Sequence, residues 1–325
     1  MNILRVGDPH IRPQNLAEAE RLMGYVKQVV INAKVDRLEI LGDLFHTHAI
    51  VRLEVLEFWN RWLQELSDIV ETVVLVGNHD MPGNYGIEKH ALTVFKRIQN
   101  GRLRIIDRPT VLGQLVYCPY IHSEEAFLEA IHAIDGTESK ILICHAEFSG
   151  SQYDNGFYSP HGFNPDKVRY QAIISGHIHK EQVIAAGKVD YPGTPKWDTA
   201  SDANEHKGIW LYEHDVNGKV LTRDRLSTAH VVTPIVSFTW VEGQDAPEIP
   251  EGAKAAVELI GSSEWIAKKK TALKGKVSIS SKFTDQKKKA ERKAGNSLEN
   301  YLMNLYDTKM DRTILMQFAK EIGIV

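Results

Sequence analysis

The chain has 325 residues, of which 43% are hydrophobic and 25% are charged, and it contains two cysteines. This length and composition predict one large or two smaller packed domains, and they exclude a disulfide scaffold, a collagen-like repeat and a low-complexity chain. The net charge of −3 is unevenly distributed, because residues 265–325 carry 14 basic and 6 acidic side chains (+8), which leaves −11 on the remainder.

The N-terminal sequence predicts a cytoplasmic protein. Residues 1–6 run directly into a strand-like segment, without the basic and long apolar regions of a secretory signal. No uninterrupted apolar stretch is long enough to span a bilayer, so we expect no membrane association. Cys118 and Cys144 lie within apolar runs, which favours buried reduced thiols over a disulfide.

Apolar strand-like runs alternate with amphipathic helical patterns over the first 230 residues. This alternation predicts an α/β fold with layered sheets. The predicted strands are residues 3–6, 38–41, 73–76, 115–117, 141–144, 172–174 and 209–212, and the predicted helices are residues 16–33 and 50–67.

The predicted helix over residues 50–67 has two apolar faces. One face contains Leu53, Leu56 and Leu63, and the other contains Val55, Phe58, Trp59, Trp62 and Leu66. One face can pack on the sheet. The second face either packs under another part of the chain or forms the seam of a homodimer.

The pattern changes after residue 228, and we divide the chain into four parts. Residues 1–228 form the main domain, and residues 229–264, with strands at 231–241 and 253–260, form a small β-rich cap. Residues 265–295 are expected to be a basic linker that either contacts a polyanion or is solvated. Residues 296–325 are predicted to form a helical tail with helices at 297–306 and 312–322, which docks on this chain or on a partner.

Side chains that bind metal ions follow five of the predicted strands. They belong to the segments Asp8-Pro-His10, Gly42-Asp43-Leu-Phe-His46, Gly77-Asn78-His79-Asp80, His145 and Gly176-His177-Ile-His179. Because the carboxyl ends of parallel strands face one crevice, we expect these side chains to converge there. On extended backbone, Asp8 and His10, like His177 and His179, would point the same way. Carboxylate, imidazole and amide ligands suit Mn²⁺, Fe or Zn²⁺ better than Ca²⁺.

The five segments resemble the motifs of the calcineurin-like metallophosphoesterase superfamily: D-x-H, G-D, G-N-H-[DE], H and G-H-x-H. The resemblance covers residues 1 to about 200 and implies a β-sandwich flanked by helices. It also implies a pair of divalent ions, expected to be Mn²⁺. One would bind Asp8, His10, Asp43 and His179, and the other would bind Asp43, Asn78, His145 and His177, so that Asp43 bridges the two.

The resemblance also implies a catalytic role for three further residues. Two cations about 4 Å apart hold a phosphate and lower the pKa of bound water toward about 7. His79 would then stabilise the oxyanion or protonate the leaving alkoxide, and Asp80 would fix the orientation of His79.

Within the superfamily, Gly42-Asp43-Leu44-Phe45-His46 is most similar to the SbcD-type DNA repair nucleases. That similarity implies a DNA exonuclease and endonuclease subunit acting in double-strand-break repair or recombination. It assigns His46 to positioning DNA or the scissile phosphate, and it implies an SMC-like ATPase partner, docked on the C-terminal helices. Arg12 stands where the family's D-x-H-L-G opening has glycine.

Two other functions remain open from the sequence. The acidic main body would suit a small-molecule phosphodiesterase or a protein phosphatase of the same superfamily. A catalytically inactive scaffold for DNA and the ATPase is the second alternative. Among the remaining histidines, even His48, two residues beyond His46, receives no functional assignment.

Overall fold

Strands outnumber helices in this computed structural model, which describes residues 1–48, 50–83, 89–98, 100–134, 140–273 and 278–284. The strands are β1 (Asn2–Val6), β2 (Arg37–Ile40), β3 (Glu71–Leu75), β4 (Leu103–Ile106), β5 (Thr110–Leu112), β6 (Leu115–Cys118), β7 (Ile141–His145), β8 (Ala172–Gly176), β9 (Gln182–Ile184), β10 (Val189–Tyr191), β11 (Gly208–His214), β12 (Val220–Ser227), β13 (Ile235–Val241), β14 (Lys254–Gly261) and β15 (Ser278–Phe283). The α-helices are α1 (Leu16–Asn32), α2 (Leu53–Ile69), α3 (Glu124–His132) and α4 (Ser263–Leu273).

Two six-stranded sheets form the body of the protein. The first has the order β12-β11-β1-β2-β3-β4. Strands β1 to β4 are parallel, β11 is antiparallel to β1, and β12 is antiparallel to β11. The second has the order β5-β6-β7-β8-β10-β9, with β6, β7, β8 and β10 parallel. The parallel strands β1, β2, β7 and β8 are almost completely buried, as expected for strands that are covered on both faces.

Residues alternate between two apolar layers along β1. Ile3 belongs to the layer that also contains Tyr117 and Ile143 of the second sheet. Leu4 and Val6 belong to the layer formed with α1 and α2. The first sheet therefore packs between the second sheet and two helices, and the predicted layered α/β sandwich flanked by helices is confirmed.

Most of both apolar faces of helix α2 are covered by other parts of the same chain. Trp59 and Leu63 are fully buried and Leu56 is partly buried, whereas Leu53 is 65% exposed. The apolar residues left open lie at the start of the helix and just before it, where Ile50 is also exposed. The homodimer through residues 50–67 stays a prediction, and its candidate contact area is reduced to this end of the helix.

The C-terminal part of the described chain contains more regular structure than the sequence indicated. Strands β13, β14 and β15 form a three-stranded sheet, and α4 follows β14. Most of helix α4 and all of β15 lie within residues 265–295, which we expected to be a linker. Alternating burial in β14 shows why a sheet forms here, because one face of that strand is apolar and buried. The predicted helices at 297–306 and 312–322 lie outside the described residues.

The chain divides into two compact units. The first comprises the described parts of Met1–Phe238, Ala246–Val257 and Gly275–Ser278, and the second comprises the described parts of Thr239–Asp245, Glu258–Lys274 and Ile279–Val325. Both six-stranded sheets belong to the first unit. None of the described helices has the length and apolar character needed to cross a bilayer. Cys118 and Cys144 are buried free thiols.

Candidate metal centre

All seven predicted metal ligands lie at the carboxyl ends of parallel strands in the first unit. Asp8 and His10 follow β1, Asp43 follows β2 and Asn78 follows β3, in the first sheet. In the second sheet, His145 ends β7, and His177 and His179 follow β8. The parallel strands of each sheet end on the same side, so these residues converge at one edge of the sandwich.

Three of these residues have left-handed backbone conformations. The φ angles are +44° at His10, +51° at Asp43 and +82° at His177. Residues other than glycine rarely adopt this region, and it is concentrated at functional sites that the surrounding fold holds in place. The sequence argument for pairs on extended backbone was therefore wrong, because the strands end before His10 and His177 and the chain turns at both.

Two glycines allow the loops to approach the carboxylates. A Cβ atom on Gly77 would lie 2.2 Å from Asp43 Oδ1, and one on Gly176 would lie 2.6 Å from Asp8 Oδ1. No side chain fits at such distances, so only glycine permits this approach.

The Nε2 atoms of His10 and His179 face each other. The two atoms are 2.9 Å apart. The Nδ1 atom of His10 lies 3.3 Å from the Phe45 carbonyl oxygen, and that of His179 lies 3.6 Å from Asp154 Oδ2. Because these oxygens only accept, a neutral ring carries its proton on Nδ1 and its lone pair on Nε2. When both rings are neutral, as they must be to bind a cation, two lone pairs converge, and Asp8 offers a carboxylate oxygen within 4.8 Å of both rings.

His145 and His177 converge in the same way on Asn78. His145 Nε2 and His177 Nδ1 each lie 2.9 Å from Asn78 Oδ1. His145 Nδ1 donates to the Leu41 carbonyl oxygen at 2.7 Å, and His177 Nε2 lies 3.4 Å from Glu147 Oε2. The nitrogens that face Asn78 are thus the ones left to accept a cation.

Asp43 lies between the two groups. Its Oδ2 atom is 3.5 Å from His10 Nε2 and 3.4 Å from His145 Nε2. Its Oδ1 atom accepts the backbone N–H of His79 at 2.8 Å. One carboxylate is therefore within reach of both groups, as a bridging ligand must be.

The donor set fits divalent cations. Asp8 Oδ1 is buried and has no hydrogen-bond partner among the described residues, a costly state for a carboxylate unless a cation compensates it. Nitrogen and oxygen ligands without thiolate suit Mn²⁺, Fe or Zn²⁺.

The pKa values reflect the concentration of charge at the site. Burial raises the pKa of Asp8 to about 6 and, together with Asp43, raises that of Asp80 to about 8. Burial disfavours a charged His145, but Asp43 and Asp8 outweigh it and raise its pKa to about 9. Burial lowers the pKa of His10 well below its usual value, so this ring is neutral. Asp8 and Asp43 thus favour the protonated, positively charged form of His145.

His79 and His46 lie beside the predicted ligands. The His79 ring centroid is 4.6 Å from that of His10, and the His46 centroid is 5.8 Å from it. His79 Nδ1 donates to the His46 carbonyl oxygen at 2.7 Å. Arg12 Nη1 donates to His46 Nε2 at 3.1 Å. Both histidines are thus held in fixed orientations at the site.

Asp80 accepts hydrogen bonds from the backbone of two loops and makes none with the ring of His79 in the described structure. Its Oδ1 accepts the backbone N–H of Phe45 at 3.2 Å, and its Oδ2 accepts that of Gly77 at 2.9 Å. The expectation that Asp80 orients the His79 ring is corrected accordingly, because the His46 carbonyl oxygen is the hydrogen-bond partner of that ring.

Comparison with known families decides the superfamily. Residues 1–181, more than half of the chain, match the family described as calcineurin-like phosphoesterase. The chain belongs to that family. This match confirms the family expected from the sequence motifs. Calcineurin-like phosphoesterases use divalent metals and hydrolyse phosphoester bonds.

This phosphoesterase is similar to exonuclease subunit 1 of Enterobacteria phage T4, with 28% identity over 226 residues. The match covers 66% of this chain and 65% of the relative, so it spans just under two thirds of that relative's length. The solved structure of Yfce, a phosphoesterase from E. coli, has 13% identity and a TM-score of 0.34, covering 69% of this chain and 99% of that chain. The solved structure of Pseudomonas putida nuclease MPE has 16% identity and a TM-score of 0.31, covering 67% and 86%.

Four residues around the phosphoesterase site were missed by the sequence argument. Glu147 and Asp154 face the outer nitrogens of His177 and His179, Arg12 bonds His46, and His48 stacks on His79. The sequence holds a weak signal for Glu147, which lies two residues after His145 at the end of a strand. Asp154 has no such signal, because only the folded loop brings it near His179.

Proposed function

We propose that the chain is a metal-dependent nuclease subunit that hydrolyses phosphodiester bonds of DNA with a water molecule activated by two divalent ions, expected to be Mn²⁺. The observation that carries this proposal is the convergence of an unpaired carboxylate oxygen of Asp8 with several imidazole nitrogen atoms at one edge of the sandwich. Such a donor set suits paired ions that bind phosphate.

The ligands divide between the two ions as the converging atoms suggest. Asp8, His10, Asp43 and His179 would hold one ion, and Asp43, Asn78, His145 and His177 would hold the other. Bound divalent ions offset the charge of the phosphate and lower the pKa of the attacking water. The protein orients each ligand ring through a contact of the ring nitrogen that does not face the ion, such as the hydrogen bond of His145 Nδ1 with the Leu41 carbonyl oxygen.

His79 acts on the substrate in this proposal. Because its Nδ1 atom donates to the His46 carbonyl oxygen, Nε2 is the nitrogen available to a phosphate oxygen or to the leaving oxygen. A proton held at Nε2 would stabilise the negative charge of the transition state or pass to the departing alkoxide.

Arginine side chains beside His46 support a nucleic acid substrate. A cavity of about 590 Å³ is lined by His46, Arg12 and Arg52 together with apolar side chains such as Phe45 and Val55. Guanidinium groups bind phosphates, and an apolar wall can accept a base or sugar. His46 lines this cavity and also lies beside His10, so we assign it to positioning DNA at the ions.

The likeness to a phage exonuclease subunit supports action on DNA as part of an assembly. We propose an SMC-like ATPase as the partner and DNA double-strand-break repair or recombination in the cytoplasm as the setting. Homodimerisation through the start of α2 is proposed from the exposed Ile50, Val51 and Leu53. Light scattering of the purified protein tests that dimer directly.

The test of the nuclease assignment uses the full chain with Mn²⁺ and two substrates, linear DNA and bis(p-nitrophenyl) phosphate. We expect metal-dependent DNA hydrolysis that is lost in Asp8→Ala and His79→Ala and retained in His161→Asn, a change at an exposed histidine outside the site. Hydrolysis of the small diester with intact DNA would favour the small-molecule phosphodiesterase. Two bound ions without hydrolysis of either substrate would favour the inactive scaffold.

A further inference from the structure

The loop after β2 and the turn after β3 are joined by a reciprocal pair of hydrogen bonds. His79 Nδ1 donates to the His46 carbonyl oxygen at 2.7 Å, and His48 Nδ1 donates to the Asn78 carbonyl oxygen at 2.8 Å. Each bond runs from an imidazole on one segment to the backbone of the other. The two segments therefore hold each other's histidines in place.

The two donating rings also stack. The centroids of His48 and His79 are 4.1 Å apart, and their planes differ by 29°. His79 also makes an edge contact with His10, with the centroids 4.6 Å apart and the planes at 83°. Rotation of the His79 ring would disturb both contacts as well as its bond to the His46 carbonyl oxygen.

The His48 ring is itself held in place although it is exposed. A carbonyl oxygen can only accept, so the bond to Asn78 puts a proton on His48 Nδ1 and fixes the ring in one tautomer. An exposed side chain usually samples several rotamers. Here a hydrogen bond and a stacked ring keep His48 against His79.

We propose that His48 is a positioning residue that sets the orientation of His79 for phosphodiester hydrolysis. The inference rests on the proposed function, in which His79 contacts the reacting phosphate. His48 acts only through His79 and supplies no metal ligand, because its bonded nitrogen faces the Asn78 carbonyl oxygen while the Asn78 side-chain oxygen faces His145 and His177.

Three variants separate the two contacts that His48 makes. His48→Ala loses the hydrogen bond and the stack, His48→Phe keeps an aromatic ring to stack, and His48→Asn keeps an N–H donor near the position of Nδ1. For His48→Ala we expect kcat to fall about tenfold with KM changed less than about twofold, the effect typical of removing a group that orients a catalytic side chain. His48→Phe and His48→Asn should each recover part of kcat. His161→Ala is the matched control, since it removes an exposed imidazole that has no contact with His79.

The decisive comparison places His48→Ala in a His79→Ala background. If His48 acts through His79, the second change has no further effect on kcat there. An equal loss of kcat in both backgrounds would overturn the inference, and so would an unchanged kcat for His48→Ala alone or a reduced Mn²⁺ content in that variant. The rates are measured on bis(p-nitrophenyl) phosphate as well as on DNA, so the failure of DNA hydrolysis would sink the proposed function while still testing His48.

A second readout does not depend on activity. The Nδ1 proton of His79 should be protected from solvent exchange in imidazole ¹H–¹⁵N spectra of the wild type and should exchange faster in His48→Ala. Equal exchange in both proteins would contradict the inference, even if neither substrate were hydrolysed.

Discussion

His10 Nε2 and His179 Nε2 lie 2.9 Å apart although the outer nitrogen of each ring faces an oxygen acceptor. Neutral rings in this arrangement present two lone pairs to each other, which repel unless positive charge lies between or beside them. The arrangement also requires an energetically unfavourable left-handed backbone conformation at His10. A cation bound by both rings would explain why the fold retains it.

Asp154 should strengthen metal binding without being a ligand, because its carboxylate faces the outer nitrogen of His179. We expect Asp154→Asn to weaken Mn²⁺ binding by about 10- to 100-fold while the fold is retained. Isothermal titration calorimetry measures the affinity. Asp224→Asn, at an exposed carboxylate on β12, is the control and should bind as the wild type does. Equal affinities for all three proteins would show that Asp154 has no part in orienting His179.

His79 should affect the chemical step and leave the metals in place, since its ring lies beside the predicted ligands and bonds the His46 carbonyl oxygen. We expect His79→Gln to lower kcat by about 10²- to 10⁴-fold. Steady-state kinetics with elemental analysis of the same samples gives both quantities. Loss of metal in parallel with activity would make His79 a ligand, contrary to its assigned role.

Arg12 should act on DNA cleavage through His46 and through the cavity that both residues line. The guanidinium also lies 3.4 Å from Asp198 Oδ1, so its position is fixed from two sides. We expect Arg12→Gln to lower the rate of DNA cleavage about tenfold. Arg97→Gln, at an exposed arginine outside this cavity, is the matched control. A normal rate for Arg12→Gln would remove Arg12 from the substrate site.

His214 should make the stability of the protein depend on pH. The ring is buried, accepts a hydrogen bond from Arg5 Nη1 at 3.0 Å and donates to the Gly218 carbonyl oxygen. Burial, followed by the positive charge of Arg5, lowers its pKa from 6.5 to about 4. The folded state therefore favours the neutral ring, so its contribution is complete above pH 6.5 and is lost as the pH falls toward 4.

The size of this effect is at most about 3 to 4 kcal/mol of unfolding free energy, since the pKa falls from 6.5 to about 4. Urea unfolding at pH values from 7 to 4 measures it. We expect His214→Asn, which cannot titrate, to have a shallower decline of stability with falling pH than the wild type. Parallel declines would mean that His214 is not the group responsible.

The convergence of the candidate metal ligands could be predicted from the sequence because each follows an apolar strand and the ends of parallel strands share one edge. What the sequence did not provide was the geometry of the loops. The left-handed turn at His177 replaced the expected extended pair, and Asp154 reaches His179 only because a loop folds back. His48 has no strand or motif spacing to mark it. The helix α4 was missed because its lysines suggested a linker, although Ile266 is buried.

Whether the seven residues hold a pair of ions is the central claim, and electron paramagnetic resonance of the Mn²⁺-loaded protein tests it most directly. We predict two Mn²⁺ per chain with the signature of spin coupling in the wild type, and loss of the coupled signal in Asp43→Asn, because this carboxylate lies within reach of both groups. A folded wild-type protein that binds a single Mn²⁺, or two without coupling, would contradict the account.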